Sequence, residues 1–138
     1  MMGNPTRSET SAADVVREFW RRMASNDFAS VQAELSPDFV LEWPQSRERI
    51  RGPQRFAQMN AEYPAHGRWT FTLNRCVEGR GEVVTDVSVS DGVQHARALS
   101  FFTVEHGRIV RLVEFWPEPY EPPANRAHLV ERITDSDG

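Results

Sequence analysis

Two runs rich in β-branched and aromatic residues, Val83 to Ser90 and Val93 to Val104, are separated only by Asp91-Gly92. Aspartate and glycine both tolerate positive φ, so this dipeptide between two such runs predicts a β-hairpin. A two-residue turn also fixes which residues meet across the pair. Ser90 then faces Val93, Val89 faces Gln94, Val87 faces Ala96, Asp86 faces Arg97, Thr85 faces Ala98 and Val83 faces Ser100. Cross-strand partners share one side of a sheet. One side holds Val83, Thr85, Val87, Val89, Ala96, Ala98, Ser100 and Phe102, small and apolar as a cavity wall needs. The other holds Asp86, Ser88, His95, Arg97, Leu99 and Phe101.

The next turn decides where a carboxylate goes. Glu105-His106-Gly107 fits a three-residue loop with Gly107 at a left-handed bulge position. Val104 then pairs with Arg108, Phe102 with Val110, Ser100 with Leu112 and Ala98 with Glu114. Glu114 and Trp116 join the apolar side, whereas a plain two-residue turn at His106-Gly107 would send them to the other. The bulged form keeps Arg111 out of the apolar layer and brings Val110 and Leu112 into it. A carboxyl group on an apolar wall has its charged form disfavoured. Such a group can serve as general acid or base near neutral pH. The same group could instead bond a helix hydroxyl, or an arginine such as Arg22, and merely tie the sheet down.

The N-terminal half has a different period. Ser11-Ala-Ala-Asp14 forms a capping box, and Val15, Val16, Phe19, Trp20 and Met23 recur at helical spacing. Asn26 suits a left-handed position after the helix and Asp27 a following N-cap. Phe28, Val31 and Leu35 predict a short second helix stopped by Pro37. Phe39 to Trp43 reads as a strand, and Arg47 to Arg51 as a charged loop. Pro53 opens a third helix carrying Phe56, Met59, Asn60 and Tyr63. Two further strands, Trp69 to Val77 and Ile109 to Trp116, complete an antiparallel meander behind the helices, an α+β layout. Residues 1–10 read as a flexible lead, 11–117 as the domain, and 118–138 as a proline-rich tail. In that tail Ala124 to Ile133 forms a short helix, which Leu129, Val130 and Ile133 would dock across the sheet edge or pocket mouth.

Phe19-Trp20 with Asn26-Asp27-Phe28, then Asp38-Phe39-Val40-Leu41-Glu42-Trp43-Pro44, Ile50-Arg51-Gly52, and a last strand running from His106-Gly107-Arg108-Ile109 to Phe115-Trp116 resemble the SnoaL-like branch of the NTF2-like superfamily. The resemblance spans about residues 12–117. It implies a cone-shaped α+β barrel, with three N-terminal helices packed on a curved antiparallel sheet, a pocket between them and commonly a homodimer. The superfamily includes polyketide cyclases, steroid isomerases, epoxide hydrolases, dehydratases and members without catalysis, so fold alone does not choose among them. On a ketosteroid-isomerase pattern, Trp43 holds the place of the base and Phe19 that of the oxyanion phenol; neither side chain can do that job. On a limonene-epoxide-hydrolase pattern the Arg-x-Asp pair falls on Val87 and Val89, and only Glu114 matches, as the second acid.

Composition narrows the function classes. Apolar residues are 39% and charged residues 26% of 138, as in a folded globular chain. The net charge of −4 argues against nucleic-acid binding by bulk charge. No stretch approaches the ~18 apolar residues that span a bilayer. The N-terminus lacks the apolar core of a signal peptide, and the single Cys76 fits a reducing, cytoplasmic setting. All sixteen basic residues are arginine, which excludes Schiff-base and P-loop lysine chemistry. The histidines, His66, His95, His106 and His128, have no metal-ligand spacing, so no metal site and no cofactor are expected. His66 lies near the expected cavity opening. Arg47, Arg49, Arg51 and Arg55 could hold an anion or simply be solvated. Leu99, Phe101, Val113 and Phe115 would make a sticky exposed sheet face, which favours burial in a dimer.

The expectation is a pocket for a small hydrophobic organic ligand. Glu114 is the candidate acid/base. Phe19, Trp20, Trp43, Met59, Tyr63, Val87, Val89, Ala98, Phe102, Leu112 and Trp116 are the candidate lining. The reaction would be an isomerisation, cyclisation or dehydration. A non-catalytic binding or assembly subunit is the alternative.

Overall fold

A computed structural model describes residues 10–134, so all but Thr10 of the expected lead lies outside the described residues. Two α-helices, α1 (Ala12–Ala24) and α2 (Pro53–Glu62), and 3-10 segments at Phe28–Glu34 and Ala124–Leu129 accompany six strands. The strands are β1 (Leu35–Trp43), β2 (Glu48–Arg51), β3 (Thr70–Glu78), β4 (Glu82–Ser90), β5 (His95–Glu105) and β6 (Arg108–Phe115). Two of the three expected N-terminal helices are thus α-helical and the middle one is 3-10.

Ser11 caps α1 as its position predicts: its hydroxyl accepts from the Asp14 N–H at 3.1 Å. The Ala13 N–H donates to Glu78 Oε2 at 3.0 Å, placing an acid at the positive helix end and tying α1 to β3. The buried stripe of α1, including Val15, Val16, Phe19, Trp20 and Met23, packs on the inner side of the sheet. Phe19 meets Phe102 edge-on, with ring centroids 5.2 Å apart.

The sheet order is β2-β1-β6-β5-β4-β3, open at β2 and β3 rather than closed as a barrel. Three expectations are corrected. The charged Arg47–Arg51 loop contains β2, an edge strand pairing antiparallel with β1. Arg47 takes a positive φ of 63°, which lets the chain turn there. The strand at Phe39 begins earlier, at Leu35, and passes Pro37; regular pairing resumes only at Val40, so the missing proline N–H breaks no ladder bond. Finally, β1 runs parallel to β6. The long connection through α2 and four strands permits that direction, which a hairpin cannot produce.

Both hairpins differ locally from the expected ones, yet β4, β5 and Glu114 keep their expected sides. The β4–β5 loop holds four residues, Asp91 to Gln94, not two. Asp91 Oδ1 accepts from the Val93 and Gln94 N–H groups at 2.9 and 2.7 Å, which widens the turn. Val83 now faces Phe102, Thr85 faces Ser100 and Val87 faces Ala98. The register has moved by two residues, an even number, so no side chain changes side. Asp86 consequently meets Arg97 diagonally, in a fork of 2.6 and 2.7 Å.

In β5–β6, His106 (φ 53°) and Gly107 (φ 74°) form a two-residue turn between Glu105 and Arg108, not the expected three-residue loop. The bulge lies further on. Val104 pairs with Ile109 but Thr103 with Arg111, leaving Val110 as the extra residue. Ile109 and Leu112, rather than Val110 and Leu112, are buried. The tight turn alone would have pointed Glu114 away from the core; the bulge reverses the alternation once more and returns it.

Among the described residues of the proline-rich tail, 118–134, no side chain is buried. Leu129 is 76% and Ile133 90% exposed, so the apolar side expected to dock is in solvent.

Candidate functional site

A cavity of about 480 Å³ lies between α1, α2 and the inner side of the sheet. All four tryptophans of the chain line it: Trp20, Trp43, Trp69 and Trp116. Two of them are held by carboxamides that grip their backbone. Asn26, left-handed at φ 64°, accepts from the Trp69 N–H and donates to its carbonyl, both at 2.8 Å. Gln45 accepts from the Trp116 N–H at 2.7 Å and donates to its carbonyl at 3.3 Å. These clamps replace ladder bonds at the ends of β3 and β6 and fix both indoles at the cavity.

Glu114 sits in the cavity wall, 6% exposed. Its Oε1 accepts from the indole N–H of Trp43 at 3.2 Å and of Trp116 at 3.1 Å. Its Oε2 is 2.9 Å from the Ser100 hydroxyl, which faces it across β5–β6. Burial pushes the Glu114 carboxyl above its usual value, while bonds from Trp43, Ser100 and Trp116 pull it back. Indole nitrogens can only donate, so Oε1 must remain an acceptor. Two donors at Oε1 thus favour Oε2, beside Ser100, as the protonated oxygen of the neutral acid. Thr85, the next residue in this cross-strand row, accepts from the Trp20 indole N–H at 3.1 Å. A polar row, Thr85–Ser100–Glu114, thus crosses an apolar sheet with its buried groups satisfied. Arg22, weighed above as a partner for Glu114, bonds Glu34 instead at 2.9 Å.

The predicted lining divides in two. Phe19, Trp20, Trp43, Met59, Tyr63, Val89 and Trp116 do line the cavity. Val87, Ala98, Phe102 and Leu112 lie on the predicted side of the sheet but are sealed in the core, at most 1% exposed, and do not reach the wall. The reason is the position of α1, whose Phe19 covers Phe102. Sequence reasoning missed Phe28, Trp69, Phe71, Gln94, Glu48 and Glu118 as lining. Trp69 and Phe71 did carry a signal: they stand two apart near the start of β3, with Phe71 opposite Val89.

His66 belongs to another construction. Its N–H and ring Nδ1 reach Asp91 Oδ2 at 2.8 and 3.2 Å. Burial raises Asp91, but hydrogen bonds from His66, Gln94 and Val93 outweigh it and hold the carboxyl well below its usual range. Among the arginines weighed for an anion site, Arg49 is bonded to Glu42, which Arg111 also contacts. Among the described residues no helix is long and apolar enough to cross a membrane.

Three helical segments against an open sheet, with one carboxyl group in an aromatic hollow, define a small α+β domain. The chain belongs to the SnoaL-like domain family, whose model matches residues 16–112. It is 32% identical to a protein provisionally described as a ketosteroid isomerase from Kribbella flavida DSM 17836 (TM-score 0.82; 89% of this chain and 90% of that one covered). It is also similar to an NTF-2 like protein of unknown function from Burkholderia xenovorans LB400 (23% identity, TM-score 0.74, 89% and 95% covered). A third similar structure is an LEH-like epoxide hydrolase from M. tuberculosis (26% identity, TM-score 0.62, 77% and 82% covered). No functionally curated protein matches the chain significantly.

Proposed function

We propose that the chain is an enzyme acting on a small, largely hydrophobic organic molecule, with Glu114 as its single proton shuttle. One observation carries this reading: a carboxyl group raised by burial stands in the wall of an aromatic cavity, its position held by three donors. An isomerisation, cyclisation or dehydration needs one proton taken and one returned, which a single carboxyl group can do. Trp43 and Trp116 orient Oε1, and Ser100 serves Oε2. Tyr63, Met59 and Phe28 supply apolar wall. The ketosteroid-isomerase description of the Kribbella flavida protein accords with this class of reaction.

A second reading has its own support. Both oxygens of Glu114 already have partners within the chain, as in a structural tie, so a non-catalytic ligand-binding or assembly subunit is the alternative. The test starts from the molecule that co-purifies in the cavity, identified by native mass spectrometry. Conversion of that molecule by wild type and by Glu114→Gln is then followed. Glutamine keeps the shape and can still accept from both indoles. Loss of turnover by a factor of about 10²–10⁴ with binding retained is expected. Equal turnover in both proteins removes Glu114 from the mechanism.

A further inference from the structure

The wall of the cavity has a one-sided charge. Its ionisable side chains among the described residues are Glu48, Glu114, Glu118 and Tyr63. Although the chain is rich in arginine, among the described residues no arginine reaches the wall, nor does any histidine. Arg49, the basic neighbour of Glu48 in β2, is engaged by Glu42. An anionic ligand would lose its hydration against carboxylates with no counter-charge to meet it. A cation would meet the opposite situation. Aromatic faces attract positive charge through their quadrupole, tryptophan most strongly, and the whole tryptophan complement is here. Glu48 and Glu118, both exposed, add negative potential on the solvent side.

From this arrangement we infer that the occupant carries a cationic nitrogen, a protonated amine or quaternary ammonium, on an otherwise apolar body. The inference rests on the reading of the cavity as a ligand site and specifies its substrate class. The cation sits among the indoles beside Glu114, whose three internal donors remain in place when it is ionised. Cation and carboxylate each offset the other's desolvation.

The experiment titrates the full chain with three probes of one size and different charge: phenyltrimethylammonium, its neutral isostere tert-butylbenzene, and benzoate. Tryptophan fluorescence reports occupancy, because all four indoles face the site. The ammonium probe is expected to bind at least about tenfold tighter than tert-butylbenzene, with benzoate weakest. In Glu114→Gln the preference for the cation should fall below about threefold. A Glu48→Gln/Glu118→Gln double variant, altered only at exposed positions, should weaken the cation selectively and stands as the test if Glu114→Gln does not fold. Binding of tert-butylbenzene as tight as that of the cation overturns the inference and leaves the cavity a ligand site. So does tighter binding of benzoate. No binding of any probe overturns the inference together with the ligand-site reading.

Discussion

At the level of single residues, the sequence already pointed to Glu114, because an acid in an alternating apolar strand stands out. Its partners were not legible. Trp43 is 71 positions away and Trp116 only two, yet both indoles converge on one oxygen. The raised carboxyl has a consequence for stability. A carboxylic acid whose folded-state pKa lies above its unfolded value binds more protons when folded, so it favours the fold while protonated and less as pH rises. The stability difference between wild type and Glu114→Gln should therefore fall as pH climbs above about 4.5, the ordinary glutamate value. Urea midpoints of both proteins from pH 4.5 to 8 measure it; a constant difference would show that Glu114 titrates alike in both states. Asp91 has the opposite sign. Its lowered carboxyl supports the fold above its ordinary value of 3.8, and that support is lost on acidification below it. Far-UV circular dichroism during acid titration should show Asp91→Asn less sensitive below pH 3.8 than wild type.

At the level of elements, α1, α2 and β3 to β6 followed their periodicities, and the turn residues marked both hairpins. What the turns did not reveal was loop length. Asp91 supports a four-residue loop because its side chain competes for the backbone N–H groups that a tight turn would leave free. The bulge at Val110 has no local signature in the sequence, since any β-branched residue can occupy such a position. The His106-Gly107 turn, however, depends on positive φ at both residues. Gly107→Val forces a β-branched residue into that region and should cost about 1–3 kcal/mol, read as a lower denaturation midpoint. An Ala-for-His change at 106 should cost less, because histidine already bears a Cβ at positive φ. Equal losses at both positions would argue that the turn conformation is not what holds the hairpin.

For the whole molecule, the outer side of the sheet presents an apolar patch that bears on its state in solution. Phe101 is 45% exposed and packs edge-on against Phe115 at 5.9 Å, with Leu99 and Val113 half-buried nearby. A second copy covering this side would remove the apolar patch from water, which is the homodimer expected from the sequence. Sedimentation velocity at micromolar concentration should show a dimer, and Phe101→Arg should shift it to monomer while the cavity, on the opposite side, still takes up its probe. A monomer in both cases would leave the patch without a partner of this kind.

Local physics determined a great deal of this protein from sequence alone: the amphipathic stripe of α1, the alternation of β4 and β5, and the positive-φ turns. Each depends on neighbours a few residues apart. The tertiary structure decided the rest: that β1 lies parallel to β6, that Val110 is the residue left over, and that α1 seals Phe102 and Leu112 while the strand ends stay open. Those outcomes depend on how separate elements compete to cover one apolar surface, and that competition has no period along the chain.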